Sequence, residues 1–501
     1  MMTSAADYTD QLTVNVLGTE ATPQQTTISL NKQEDGNYSF LLKDFSLDLA
    51  GTSMDVGTIE LNGVHGITSE DVTTLYTQQT IAIKPGSDAS KTWLASTGML
   101  DAVPVRIMGE QRGDQLYAVI NIDMGQALQI KVTFGKGYQM PNGGFENFHT
   151  ATIWDSSHEN SATSQEPNYW HSFMSASGNP NLAWLAGYNP HTFVSDVVRP
   201  GTDGQHSVLI TSVNMFLTIA NGTMTTGRVN TGSMTATNVA NHAALDMSST
   251  DKDGNGDPFY VALNGQPDSI DVWVKFKQSK PQAKYTYATL SAAVTDGTYY
   301  QEPADKEYTN VLARAQNKQI ASNGFAWQHL TIPFETVNKD VKAKALFITL
   351  STNAQPGAGS TDSLYVDDLS LVYNQDITVN SVSLQGKTLS LADEMSIEAD
   401  GTQVSADDII VDTKAAKVIK QIEEADGGLK AYVTVASTDL NTFKTYTINI
   451  KGATTGIDHV QQATNIPDGT IYNLQGQRVS SMQQGHVYIV KQGDKMVKVQ
   501  K

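Results

Sequence analysis

Leu364-Tyr365-Val366-Asp367-Asp368-Leu369-Ser370-Leu371-Val372-Tyr373 changes parity halfway along. Leu364 and Val366 share one face of an extended chain, whereas Leu369, Leu371 and Tyr373 repeat with the opposite phase. A slip of one residue in a period-two pattern is what a β-bulge produces, so the run reads as one strand with its bulge on the Asp pair. Working back, the segment opens with Gly144-Phe145-Glu146-Asn147-Phe148, and the residues between alternate apolar and polar as short antiparallel strands do. The expectation is a jelly-roll β-sandwich over 142–373, closed by its first and last strands. The bulge would turn one carboxylate toward the opening strand. Glu146 and Asp367, hard oxygen donors from opposite chain ends, then predict a structural Ca2+ staple.

The flanking segments are also β-patterned. In Leu128-Gln129-Ile130-Lys131-Val132-Thr133-Phe134 apolar and polar residues alternate strictly, as do Leu12, Val14 and Val16 with their neighbours. One face is dry and the other wet. With further strands at Tyr38 to Leu42, Val103 to Ile107 and Leu116 to Ile122, and turns such as Asp35-Gly36-Asn37, residues 8–136 predict a closed meander or barrel. Its interior either holds an apolar molecule or is filled by its own side chains. Residues 375–452 predict an immunoglobulin-like spacer, with a helix-like stretch around Ala415 to Glu424. Gly452 to Gly469 reads as a linker. Residues 466–501 form a small β tail that needs a neighbour to dock on. The fold class is all-β.

Three resemblances add to this reading. The GFEN opening and the LYVDDLSLVY ending resemble carbohydrate-binding modules of the galactose-binding jelly-roll type, and more closely a carbohydrate-metabolism domain common in gut Bacteroidetes. Pro267 to Phe276 resembles that family's central strand, while its glycine-rich turn is degenerate here at Ile219 to Gly227. Tyr8 to Val16 and Gly57 to Val64 resemble calycin-like, lipocalin-style barrels. Ile471 to Val479 and Val487 to Val490 resemble C-terminal sorting domains of exported proteins, with His486 as a departure in spacing. The resemblances imply an exported protein of the cell surface, outer membrane or extracellular space, with its export segment outside the given sequence.

Composition narrows the partners. The chain of 501 residues carries 52 acidic against 33 basic side chains, a formal charge of -19. That disfavours nucleic acid and anionic membrane, which demand clustered cations. There is no cysteine, so disulfides and thiolate chemistry are excluded. No apolar run approaches the roughly 18 to 20 residues of a spanning helix.

Trp154, Tyr169, Trp170, Trp184 and Tyr188 fall in one stretch rich in Ser, Asn, His and Pro, which reads as loops. Rings in such loops either stack on the C–H faces of a sugar or pin the loops to the sandwich. Trp273 sits on the polar face of its strand, where it is a groove floor or is covered by those loops. Asp251-Lys252-Asp253-Gly254-Asn255-Gly256-Asp257 imitates the front half of a calcium loop, but position twelve is Ala262, so the polar hairpin turn is the first reading and a Ca2+ site the second. No HExxH, GxSxG or phosphate-cradling motif is present, and Asp155, Glu159 and Glu166 are the nearest to a hydrolase pair. The functional expectation is noncatalytic binding of a neutral poly- or oligosaccharide through Trp154, Tyr169, Trp170, Trp184, Tyr188 and Trp273, without an organic cofactor. A structural adhesin with protein partners is the alternative, and a glycoside hydrolase the third.

Overall fold

The computed structural model describes residues 5–17, 19–49, 51–125, 129–215, 218–353, 357–399 and 401–455, and in the tail 461–462, 470–473, 478–479, 487–492 and 495–500. Leu128, positions 456–460 and 463–469 of the expected linker, and Leu474 to Gln477, Gly485 and His486 of the tail motif lie outside the described residues.

Eight strands, Ala5–Val16, Gln24–Lys32, Tyr38–Leu49, Thr52–Ser69, Val72–Ile81, Val103–Arg112, Gln115–Asp123 and Gln129–Phe134, pair antiparallel in chain order, and the first also pairs with the last through Val14 and Val132. The sheet is therefore a closed barrel, which removes exposed strand edges. Leu12, Phe40, Leu61, Leu75, Ile120 and Phe134 are buried in one apolar cluster inside it. Each such side chain contributes about 1.5–3 kcal/mol. The barrel is thus filled by its own side chains. The predicted wet outer face is dry in one place: Met108, Tyr117 and Val119 join an external cluster with Tyr138, Leu440 and Phe443. Here the barrel leans on the linker and on the unit beyond the sandwich, so both faces of one strand are covered.

The two largest sheets of the middle segment are antiparallel, with smaller sheets around them. In the first, Ser363–Val372 lies between Ser207–Thr211 and Ser269–Lys277, with Thr192–Ser195 and Gln328–Pro333 at the edges. The second contains Thr223–Thr225, Ala345–Ser351, Ala288–Thr295, Val311–Ile320 and Glu335–Thr336 in that order. Val272, Val274 and Val366 of the first meet Leu290, Ile348 and Leu350 of the second in one core. The bulge is where the parity slip places it. Trp273 faces Asp367 and Asp271 faces Ser370, so Val272 alone opposes Asp368 and Leu369, and Asp368 takes φ 43°.

One expectation fails at the opening. Gly144 to Asn147 is not a strand; Asn142 and Phe145 adopt φ 51° and 55°, and the Asn142 side chain bonds both the N–H and the carbonyl of Asn147. The segment is therefore a loop, tied to the closing strand by Leu369 N–H donating to Gly143 O at 2.8 Å. The strand begins at Phe148 and pairs with Ser161–Pro167 in its own hairpin.

The third unit packs Val379–Leu384 and Ile409–Thr413 beside a four-stranded sheet of Glu394–Glu398, Phe443–Lys451, Gly428–Ala436 and Lys417–Ala425. The expected helix at Ala415 to Glu424 is a strand instead. Asp426-Gly427-Gly428 turns the chain, with φ of 78° and 156° at the glycines, and pairing with Gly428–Ala436 overrides the helix-forming Ala, Lys and Glu. In the tail, Val487–Gln492 and Lys495–Gln500 form a hairpin beside Thr470–Tyr472. Among the described residues no helix is long and apolar enough to cross a membrane.

Candidate functional site

The six candidate rings do not converge on one surface. Trp170 is fully buried against Phe145, with ring centroids 5.5 Å apart, and offers no face to a ligand. The expectation of an exposed ring is corrected there: the ring is core. Trp154 and Tyr188 are exposed by 40% and 56% and sit beside His158 and Trp184 respectively. Trp184, half-buried, packs with Ile153 and Met174 under the short helix Pro180–Gly187. Tyr169 is half-buried, its backbone N–H donating to Asp257 at 2.6 Å. Trp273 is half-buried too, stacked on His329 at 5.1 Å and with the Arg199 guanidinium over its ring at 5.4 Å.

The carboxylates are likewise dispersed. Asp155 closes the hairpin turn, held down to about 2 first by the Asn160 side chain and then by Ser157 and backbone N–H groups. Glu159 lies in the same turn, whereas Glu166 pairs with His149 at the far end of the hairpin. At about 3.3 Å per residue that puts Glu166 roughly 20 Å from Asp155, beyond the separation of a hydrolytic acid pair. Glu146 accepts from the backbone N–H of Gln205 and His206, and Asp367 from those of Arg199 and Asp368. Burial, with Asp368 adjacent, pushes the Asp367 carboxyl up to about 6. Arg199 Nε binds Asp368 at 2.5 Å.

A cleft lies elsewhere, on the outer face of the second sheet. Because Leu346, Ile348 and Leu350 point into the core, Phe347, Thr349 and Ser351 point outward. Strand register aligns Thr223 with Ser351 and Thr289, and Thr225 with Thr349, Ser291 and Gln316. At one end this face is covered: Phe347, Ala293 and Ala345 pack under Tyr300, Tyr308 and Leu245. At the other end it is open. There Thr289, Ser291, Gln316, Lys318, Thr349 and Ser351 form the floor of a cavity of about 280 Å3, walled by Asn221, Asn230, Asn241 and His242 and rimmed by Phe173, Met215 and Met234. Such a size is at the lower end for small-molecule pockets.

Asn221 is locked in place, donating to Thr223 Oγ1 at 2.8 Å and Ser351 Oγ at 2.9 Å while accepting from Gly357 N–H. Of the lining residues only Glu302, Lys318 and His242 are ionisable. A second concavity shares Asn230 and His242 and carries Tyr299, whose ring is 52% exposed and whose hydroxyl lies 3.2 Å from His242 Nε2. The degenerate turn, through Ile219, Ala220, Asn221 and Thr223, is part of the cleft wall. No residue named from sequence as a ligand contact lines it. Thr289, Ser291, Thr349 and Ser351 carry the signature of any solvated strand face, and only the exposed Tyr299 after Gly297 gave a local signal.

Residues 5–136 match the family of calycin-like beta-barrel domains, in agreement with the closed eight-stranded barrel. No curated protein matches the chain. Among solved structures, the infectious bursal disease virus VP2 subviral particle is 11% identical over 75% of this chain and 82% of its own, with a TM-score of 0.08. T=1 particles derived from infectious bursal virus are 10% identical over 75% and 79%, again with a TM-score of 0.08. Superpositions that poor say nothing about this fold.

Proposed function

We propose that the protein binds carbohydrate noncatalytically in the cleft on the second sheet of its sandwich. The observation that carries this reading is the floor of hydroxyl and amide side chains on neighbouring strands, left open where the rest of the same face is sealed by aromatic and aliphatic side chains. Short polar groups on a rigid sheet donate to and accept from sugar hydroxyls without loss of loop entropy. The apolar rim of Phe173, Met215 and Met234, with Tyr299 beyond it, suits the C–H faces of a pyranose. A single carboxylate, Glu302, lines the cavity, which favours binding over a two-carboxylate hydrolysis.

The test is a glycan array with the full chain, followed by calorimetry on any hit and on its variants. Gln316→Ala and Tyr299→Ala are expected to weaken binding several-fold each, as loss of one hydrogen bond or one stacking face does. Trp154→Ala, outside the cleft lining, should leave it unchanged. Binding that survives both cleft variants and disappears with Trp154→Ala would move the site to the loop rings, and no binding to any neutral glycan would refute the reading.

A further inference from the structure

Among the described residues, His149 Nε2, Glu166 Oε2, His171 Nδ1 and Asp251 Oδ2 are four of the buried side-chain atoms of the middle unit that have no hydrogen-bond partner. They come from three chain segments. His149 and Glu166 are directly opposed across the hairpin Phe148–Trp154/Ser161–Pro167, and so share a face. His171 is held by a bridge to Thr225. Asp251 opens the turn that imitates a calcium loop, between the paired strands Asp246–Thr250 and Pro258–Phe259. His171, Glu166 and Asp251 are buried to 3% exposure or less, and the His149 side chain to 9%.

Everything around these atoms aims their lone pairs inward. His171 Nε2 lies 3.2 Å from the Pro258 carbonyl, an acceptor, which places a proton on Nε2, while Nδ1 faces Asp251 Oδ2. His149 Nδ1 lies 3.2 Å from Asn168 Oδ1, which in the same way leaves Nε2 bare. Glu166 uses Oε1 to accept from Ser172 N–H at 2.8 Å, freeing Oε2. This is how metal-binding imidazoles and carboxylates are oriented by their neighbours. Asp251 Oδ2 stands 3.5 Å from His171 Nδ1 and 3.7 Å from His149 Nε2, too long for hydrogen bonds. A tetrahedron with metal–ligand bonds of 2.0–2.1 Å has an edge of about 3.4 Å, and the His149, Glu166 and Asp251 ligand atoms all lie within 4.8 Å of one another. Gly254 completes the enclosure: a Cβ there would collide with Asp251 Oδ2 and come within 3.0 Å of His149 Nε2.

We propose that His149, Glu166 and Asp251, whose ligand atoms all lie within 4.8 Å of one another, bind one divalent transition-metal ion of the Zn2+ class, with the His171 imidazole beside Asp251. An imidazole with two carboxylates suits Zn2+ rather than Ca2+, which takes six to eight oxygens. The ion fastens the Asp251–Asp257 turn to the hairpin Phe148–Trp154/Ser161–Pro167. The inference is independent of the carbohydrate reading.

The experiment uses the full chain, stripped with a chelator and titrated with Zn2+ alone, with circular dichroism on every variant. One equivalent per chain is expected, undisplaced by Ca2+ at equal concentration. His149→Ala should weaken binding at least tenfold. Gly254→Ala, which keeps every donor but fills the space between them, should do the same, and Asn168→Ala, which frees the His149 ring, should weaken it by 10- to 100-fold. His329→Ala, on the surface outside the cluster, should have no effect. A folded wild-type chain that takes up no stoichiometric Zn2+, or that binds it equally well in Gly254→Ala and Asn168→Ala, overturns the proposal.

Discussion

Two buried polar clusters in this chain solve the same problem differently. Where the barrel meets the third unit, Glu110 is almost fully buried, yet all its capacity is used: Lys417 Nζ binds Oε1 at 2.5 Å, and Arg112 and the Tyr138 hydroxyl bind Oε2 at 2.8 Å and 2.6 Å. Lys417 also donates to the Tyr138 hydroxyl at 3.0 Å. Cations from two units neutralise one anion, and the cluster is closed within the chain. Around His149, Glu166, His171 and Asp251 the inventory is reversed, with acceptor lone pairs on every side and no arginine or lysine among the four. A cluster of acceptors is stable only with a shared cation, be it proton or metal. The contrast teaches that orphaned atoms, rather than acidity, mark where a ligand belongs.

Breaking the closed cluster should have the largest effect. Glu110→Ala leaves Lys417 and Arg112 as like charges in a buried interface, and a loss of about 3–5 kcal/mol is expected in the denaturation midpoint followed by aromatic fluorescence. Replacing Glu110 and Lys417 together with Leu and Met should restore most of that loss. Trp170→Ala, which empties the site between Phe145 and the sandwich, belongs in the same range of about 3–5 kcal/mol. The open cluster responds instead to metal. Zn2+ at 100 times its Kd should stabilise the stripped protein by about 2.7 kcal/mol in thermal unfolding, and chelation should reverse it, while Glu110→Ala keeps the same Zn2+ response.

Acid separates the two as well. Although burial alone would raise it, Lys417 and Arg112 hold the Glu110 carboxyl below its ordinary value of 4.5. The unfolded chain therefore binds the proton more tightly than the folded one. Stability from this group is complete above about pH 4.5 and drains away as pH falls further, through the folded value. Thermal scans from pH 6 to pH 3 should show this slope in the wild type and a shallower one in Glu110→Gln. The smallest effect is expected outside both clusters: Trp154→Ala, at an exposed turn, should shift stability by about 0.5 kcal/mol or less.

Local pattern made much of the architecture legible. The parity slip between Val366 and Leu369 announced the bulge, because a one-residue change in phase has no other simple cause. Strict alternation around Val14 and Val132 announced two strands that prove to be partners closing the barrel. Ala415 to Glu424 reads as helix from its own residues, which are overridden by a hairpin whose signal, Asp426-Gly427, lies just past it. The metal cluster was half visible. Asp251 stood out in a calcium-like loop and Glu166 as a candidate acid, but His149 meets Glu166 only through hairpin register, and Asp251 reaches both from a distant turn. Spacing rules for metal ligands assume donors on one element, and here they are spread over three. The cleft floor was invisible, since open and covered halves of one sheet face differ in what packs above them.

X-ray absorption at the zinc edge of the Zn2+-loaded full chain tests the central contrast most directly. The account predicts a four-coordinate ion whose first shell holds an imidazole nitrogen and two carboxylate oxygens at about 2.0–2.2 Å. A first shell of oxygens alone with no imidazole signature, or the same spectrum in Gly254→Ala, would contradict it.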